Sequence, residues 1–313
     1  MNLNNKDIVV SVCVTTYNHA PFLENSLISI LTQETSFPFE LIIGDDCSSD
    51  NTREILIALK EKYPDKITLI FNPENLGVHK NGLNILKQAK GKYIAICDGD
   101  DYWTYDRKLQ IQIDFLESNL DYVGCFHDAI IEHATNPPNE ATLNYFYEKK
   151  FYSQLYKYTP DFYPADVLER IIIPTGSLVF RNNNLVSELR PYDNIKYSLI
   201  WLYHLLIIKN SKFKYFNEAW LTYNNHKNGI TKKIKVEEFI SSNIKILNML
   251  FQDSFYRHKK YEINQCLMIE HTYLFFSTKS RTSSFQNFLL CLKILYYSFL
   301  CSVYRFGNLI DEI

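Results

Sequence analysis

Tyr93-Ile94-Ala95-Ile96-Cys97-Asp98-Gly99-Asp100-Asp101-Tyr102-Trp103 is an apolar run that ends on three carboxylates. Residues 93–97 read as a strand, and their continuous apolar character suits a position covered on both faces of a sheet. Ligands of open parallel sheets bind just beyond the carboxyl ends of the strands, so residues 98–101 stand where a site is expected. In an extended segment side chains two apart point the same way, which would aim Asp98 and Asp100 at one point. Two carboxylates so placed repel one another unless a positive charge lies between them. A hard divalent ion such as Mn²⁺ or Mg²⁺ meets that need. A solvated acidic turn gives the same local pattern, so the pair needs support from elsewhere in the chain.

N-terminal to this strand, short apolar runs alternate with helical spacings, the pattern of β-α-β units around a parallel sheet. Residues 9–15 read as a first strand. A helix follows Asn18 and Pro21, with Phe22, Leu23, Leu27, Ile30 and Leu31 on one face, and residues 39–43 form the second strand. Residues 52–63 predict a helix, 67–71 a strand and 78–89 a third helix. On the C-terminal side, 108–117 is helical and 122–131 extended. Residues 134–165 lack a period and read as a loop insertion. A short strand at 177–180, a buried helix at 200–208 and a final short strand at 219–223 follow. Residues 233–313 read as wholly helical.

Two other strand ends carry polar groups. Gly44-Asp45-Asp46-Cys47-Ser48-Ser49-Asp50 follows the second strand. Ser49 or Asp50 would cap the next helix, which leaves two further carboxylates unexplained. Asp46 is placed to accept from a pyrimidine N3–H or a ribose hydroxyl. The first strand ends in Thr15-Thr16-Tyr17-Asn18, which offers backbone groups and a ring on which a base could stack.

Composition narrows the class. With 313 residues and 46% hydrophobic content, the chain can bury one large core plus an extension. Lys+Arg number 33 against 35 Asp+Glu, so no overall field draws nucleic acid. The seven cysteines form no C-x-x-C pair, and read as buried thiols of a reducing compartment. Residues 1–7 are polar and lack the apolar segment of a secretory signal, so a cytoplasmic location is expected.

Taken in order, the stretches at 10–18 and 44–52, then Asn75-Leu76-Gly77, then Gly91-Lys92-Tyr93 leading to Asp98-Gly99-Asp100-Asp101, resemble the family 2 glycosyltransferases. These are inverting enzymes of polysaccharide and lipopolysaccharide assembly. The resemblance is close over about the first 125 residues and weaker to about residue 230. It implies an α/β fold of the GT-A type, a Rossmann-like and mostly parallel central sheet flanked by helices. Residues 1–230 would be the catalytic domain and 231–313 a C-terminal all-helical extension.

The resemblance also implies roles. Thr15 and Tyr17 would line the base pocket, and Asp46 would read the base. Asp98 would contact the ribose, and Asp100 would hold Mn²⁺ or Mg²⁺ under the diphosphate. Asp101 and Trp103 would support that loop, while Lys80 would reach a phosphate. His226, in Tyr223-Asn224-Asn225-His226, would touch the diphosphate or the metal, with Lys227 beside it. His127 and Asp128 resemble an acceptor-side position. The donor would be a nucleotide sugar, UDP-linked by first choice, and the acceptor a saccharide or a lipid-linked saccharide.

Two departures stand out. Family members place an acidic residue before the helix that precedes the Y-x-x-H segment, as general base for the acceptor. Here that place falls on Ser198-Leu199, and Asp193 is the nearest substitute, with Glu188 and Asp128 behind it. The arginine common after Asn75-Leu76-Gly77 is replaced by Gly82 and Leu83. A non-catalytic nucleotide-sugar binding protein, with the donor site but no base, is therefore the rival reading. A sugar-nucleotide pyrophosphorylase would need a Gly-rich loop after the first strand, and residues 15–20 contain no glycine. Residues 285–306 are apolar but interrupted by Lys293, too short for a comfortable membrane span. Packing on the catalytic domain, a homodimer contact, or peripheral membrane contact with Lys293 and Arg305 at the headgroups all suit them.

Overall fold

In strand β1 (Val10–Thr16), Val10, Val12 and Val14 pack on one face of the central sheet and Cys13 on the other, the period of two that a strand imposes. The computed structural model describes residues 8–133, 149–155, 158–169, 173–183, 185–192, 195, 197–229, 234–278 and 284–311. The first half is regular: α1 (Ala20–Leu31), β2 (Phe39–Asp45), α2 (Thr52–Lys62), β3 (Ile67–Phe71), α3 (Val78–Leu86) and β4 (Tyr93–Asp98). β5 (Tyr102–Trp103), α4 (Lys108–Ser118) and β6 (Tyr122–His133) come next. The chain continues through β7 (Asp161–Phe162), α5 (Pro164–Leu168), β8 (Val179–Arg181), α6 (Leu185–Leu189) and α7 (Leu199–Ile208). β9 (Lys212–Asn225) is followed by α8 (Val236–Leu250), α9 (Lys260–Thr278) and α10 (Ser284–Asp311).

The sheet runs β3-β2-β1-β4-β8-β6-β9-β5, with β7 also paired to β9. β3, β2, β1 and β4 are parallel, as the β-α-β pattern predicts. β8 is antiparallel to both β4 and β6, β6 and β9 run parallel, and β5 and β7 are antiparallel to β9, so the second half is mixed. The parallel register sets Thr15 between Gly44 and Asp98, which brings three strand ends into one row. A Cβ on Gly44 would lie 2.4 Å from Asn81 Oδ1, so only glycine lets α3 pack this closely on β2.

α1, α2 and α4 cover one face of the sheet with Leu23, Leu27, Leu56, Leu59, Leu109 and Ile113. The other face buries Ile42, Ile94, Ile96 and Phe180 beneath α3, α7, α8 and α9. α7 is apolar all round, and nine of its residues are buried, which is the expected fate of a helix without a polar face. Tyr256 donates to Leu205 O at 2.7 Å, which ties the C-terminal helices to α7.

Three sequence expectations are corrected. The short strand expected at 219–223 is the middle of the longer β9, because Asn217 and Glu218 interrupt the apolar alternation where register shifts occur opposite Asp128. The third helix ends at Leu86 rather than 89. The chain is not extended beyond Asp98, the last residue of β4: the Asp101 N–H donates to Asp98 O at 3.1 Å and closes a turn. Residues 134–148 and 156–157 of the expected loop insertion lie outside the described residues, as does Asp193.

Candidate active site

The turn after β1 and the loop after β2 fasten to one another. Asn18 and Cys47 both take positive φ, 56° and 63°. Asn18 N–H donates to Ser48 Oγ at 2.8 Å, and Ser49 N–H returns a bond to Asn18 Oδ1 at 2.8 Å. His19 N–H reaches Thr52 Oγ1 at 3.1 Å. Asp50 accepts from Thr52 N–H and from Ala20 N–H, each at 3.1 Å, so one carboxylate serves the starts of two helices. Desolvation opposes its ionisation, but these hydrogen bonds hold the carboxyl below its usual value.

Asp45 and Asp46 are both buried. Asp45 accepts from Arg53 Nε at 2.6 Å. Asp46 accepts from Leu76 N–H and Gly77 N–H, each at 2.8 Å, and from Asn72 Nδ2 at 3.0 Å. Asn72 also donates to Asn81 Oδ1, and Asn81 to Gly44 O. The Asp46 carboxylate therefore holds residues 72–77 against the end of β2. These three bonds leave about one of its four lone-pair sites for a further donor.

At the end of β4, Thr15 Oγ1 donates to Asp98 Oδ1 at 2.8 Å. Asp100 Oδ2 lies 2.9 Å from His226 Nε2 and 3.5 Å from His19 Nε2. Asp101 is buried and accepts from Asn224 N–H at 2.9 Å, and Asn224 Nδ2 donates to Asp100 O. The C-terminal end of β9 thus carries His226 onto the carboxylate turn. Phe22 packs on the His226 ring, centroids 4.6 Å apart. Trp103 anchors the turn from below, its indole N–H donating to Gly176 O at 2.8 Å.

The carboxyls are held in different states. Burial and the neighbouring Asp100 push Asp98 up to about 7, against the Thr15 hydrogen bond. Burial, with Asp100 and Asp98, drives Asp101 well above the usual range. Burial would raise Asp100 too, but the His226 hydrogen bond and the nearby His19 hold it below its ordinary value. Burial likewise lowers His19. The repulsion between carboxylates that adds to burial in raising Asp98 and Asp101 is what a cation at this turn would relieve.

Of the residues singled out in the sequence, Thr15, Asp98, Asp100 and His226 meet in this group. Tyr17 is 42% exposed at the end of β1, and Lys80 is exposed on α3, both outside the hydrogen-bonded set. Lys227 is exposed. Glu188 pairs with Lys209, and Asp128 accepts from Ala129 N–H and Ser153 N–H, so both are engaged elsewhere. Ser198 stands at the N-cap position of α7 with φ 62° and a buried Oγ that has no hydrogen-bond partner among the described residues. His19, Phe22 and Asn224 were not anticipated. The position of His19 straight after the first strand end was the one available signal.

Among the described residues no three His, Cys, Asp or Glu side chains stand preassembled to hold a metal ion. Mg²⁺ and its like, however, take few protein ligands and draw the others from substrate phosphates and water. The carboxylate of Asp100 and the imidazole of His226 supply donor types that fit such an ion.

The sequence model of glycosyl transferase family 2 matches residues 11–171, half of the chain. The chain belongs to this family. Its relatives include an uncharacterized protein of Mycobacterium tuberculosis, 28% identical over 227 residues, or 71% of this chain. The alignment spans 60% of the length of that relative. A UDP-Glc:α-D-GlcNAc-diphosphoundecaprenol β-1,3-glucosyltransferase of Escherichia coli is 34% identical over 118 residues, 37% of this chain and 45% of its own. Among solved structures, S. aureus TarS 1–349 in complex with UDP-GlcNAc aligns over 93% of this family 2 chain and 79% of its own, with TM-score 0.63 and 17% identity. The mannosyltransferase PcManGT of Pyrobaculum calidifontis, in complex with GDP-Man and Mn²⁺, aligns over 94% and 83%, with TM-score 0.54 and 17% identity. The fold of this family 2 member is that of GT-A proteins, a mixed sheet between helical layers followed by C-terminal helices.

Proposed function

We propose that this family 2 chain transfers a sugar, with inversion, from a nucleoside diphosphate donor to a saccharide or lipid-linked saccharide in surface-polysaccharide assembly. UDP is the first-choice nucleotide. The observation that carries the reading is the meeting of Thr15, Asp98, Asp100 and His226 at the ends of β1, β4 and β9. The glucosyltransferase relative, with its lipid-diphosphate acceptor, supports the acceptor class.

In this reading Tyr17 and Thr15 flank the base and the free lone pair of Asp46 accepts its imide N–H. Asp98 binds the ribose and Lys80 a phosphate. Asp100 and His226 would hold Mn²⁺ or Mg²⁺, which supplies positive charge opposite the leaving diphosphate. Asn224 fixes the turn that aims Asp100. Asp193 is assigned as the base that takes the acceptor proton. We assign the donor site to residues 1–230 and treat 231–313 as a helical extension. No described helix is long and apolar enough to cross a membrane. Exposed Tyr273, Phe276, Leu295 and Phe299 on α9 and α10 support a peripheral membrane or homodimer contact there, at the cytoplasmic face.

The test is UDP or GDP release from a panel of sugar nucleotides, with Mn²⁺, with and without saccharide acceptors, for wild type, Asp100→Asn and Asp193→Asn. Transfer that falls at least 100-fold in both variants is the expected result. Binding of a sugar nucleotide without any turnover would favour the donor-binding protein that Ser198-Leu199 keeps open as a second reading.

A further inference from the structure

Gly82 lies in the interior of α3, where glycine destabilises a helix relative to alanine. Other glycines of the fold have a steric reason. A Cβ on Gly44, Gly91, Gly99, Gly124 or Gly176 would come within 3.0 Å of another atom, and Gly77 takes φ 84°. Gly82 has neither reason. Outside its own helix a Cβ there would meet, among the described residues, only Tyr203 Oη at 3.6 Å and Thr15 Cγ2 at 4.0 Å, both ordinary contacts. Gly82 and Thr15 are partly exposed, so an open recess stands over Gly82 with the Tyr203 hydroxyl and Thr15 at its wall.

The hydroxyl is held in place. Tyr203 is buried on α7, and its Oη lies 3.3 Å from Nδ1 of His79, itself buried on α3. Burial pushes the Tyr203 phenol well above its ordinary value, so it stays a neutral hydroxyl. An imidazole that donates through Nδ1 leaves the phenol proton free for another acceptor. An arginine at Gly82, as is common in family 2, would fill the recess with charge. Here the polar group on offer is neutral.

Parallel pairing sets Thr15 between Gly44 and Asp98. A nucleoside reaching from Asp46, at the end of β2, to Asp98, at the end of β4, would cross the end of β1 at Thr15 and so pass beside Gly82. We infer that the recess over Gly82 receives an edge of the donor's pyrimidine, and that the Tyr203 hydroxyl is a specificity-determining contact, donating to a carbonyl beside the imide N–H. The inference rests on the donor site proposed above.

The experiment is isothermal titration calorimetry of the full chain with UDP, 2-thio-UDP and 4-thio-UDP in Mn²⁺, for wild type, Gly82→Ala and Tyr203→Phe, with ligand-free melting of each. Gly82→Ala should melt as high as wild type or higher, since its methyl meets no clash and favours the helix. It should nevertheless bind UDP about 10-fold more weakly, because the methyl occupies space meant for the base. Tyr203→Phe should weaken UDP about 3- to 10-fold, the loss of one neutral hydrogen bond. A thiocarbonyl is a poorer acceptor than a carbonyl, so wild type should bind one thio analogue more weakly than UDP, and Tyr203→Phe should lose that discrimination. If Tyr203→Phe fails to fold, Gly82→Ala carries the test. UDP affinity unchanged in Gly82→Ala, or the same analogue preference in wild type and Tyr203→Phe, overturns this inference and leaves the donor site standing. No UDP binding by wild type overturns the uridine reading of the donor site, and this inference with it.

Discussion

Lys108, at the start of α4, is fully buried, and its Nζ donates to Gln112 Oε1 at 2.7 Å while lying 4.1 Å from the Trp103 ring centroid. Burial lowers its pKa from the ordinary 10.5 to about 7. An unfolded chain keeps that proton up to about 10.5, so between pH 7 and 10.5 the unfolded state binds more protons than the folded one. Stability contributed by this group must therefore rise with pH across that window. At 1.36 kcal/mol per pH unit the full effect is about 5 kcal/mol, and about 3 kcal/mol is accessible between pH 6 and 9. Lys108→Met removes the charge at similar volume. Urea unfolding of both proteins at pH 6, 7, 8 and 9 isolates the group by difference, since other titrations cancel. Wild type should gain about 3 kcal/mol relative to Lys108→Met across the series. A difference that stays flat with pH would mean the buried ammonium is no worse off than in water.

Asp46→Ala strips acceptors from two backbone N–H groups and Asn72; a loss of about 2–4 kcal/mol by urea unfolding is expected, with faster proteolysis within 73–77. Gly44→Ala forces a methyl onto Asn81 and Ile85 and should cost about 1–3 kcal/mol, read as a lower melting temperature. Trp103→Phe leaves Gly176 O without its indole donor and should lose about 1 kcal/mol in the same assay.

Much of the parallel half was legible because its strands are uninterrupted apolar runs and its strand ends are polar. Strand β3 (Ile67–Phe71) falls on the expected residues. The Asp98-Gly99-Asp100-Asp101 cluster was legible as a place, but not as a geometry. The turn closed by Asp101 N–H depends on Asn224, which arrives from β9 more than a hundred residues later. The mixed half was harder, because β5 and β7 are two residues each and have no periodicity to read. His19 was missed for a similar reason. Its place in the site follows from the positive φ of Asn18, which swings the start of α1 toward the end of β4. Asp46 shows the converse: the residue was found, while its bonds to residues 72–77 follow from a loop conformation that no local pattern encodes.

The central claim is a cation-assisted donor site built on Asp100. Thermal melting of wild type and Asp100→Ala with UDP, GDP or dTDP, each with and without Mn²⁺, tests it most directly. A ligand at 100 times its Kd adds about 2.7 kcal/mol to the folded state. Wild type should show a clear rise with one nucleotide, dependent on Mn²⁺ and lost in Asp100→Ala. No rise with any nucleotide, or a rise equal in wild type and Asp100→Ala, would contradict it.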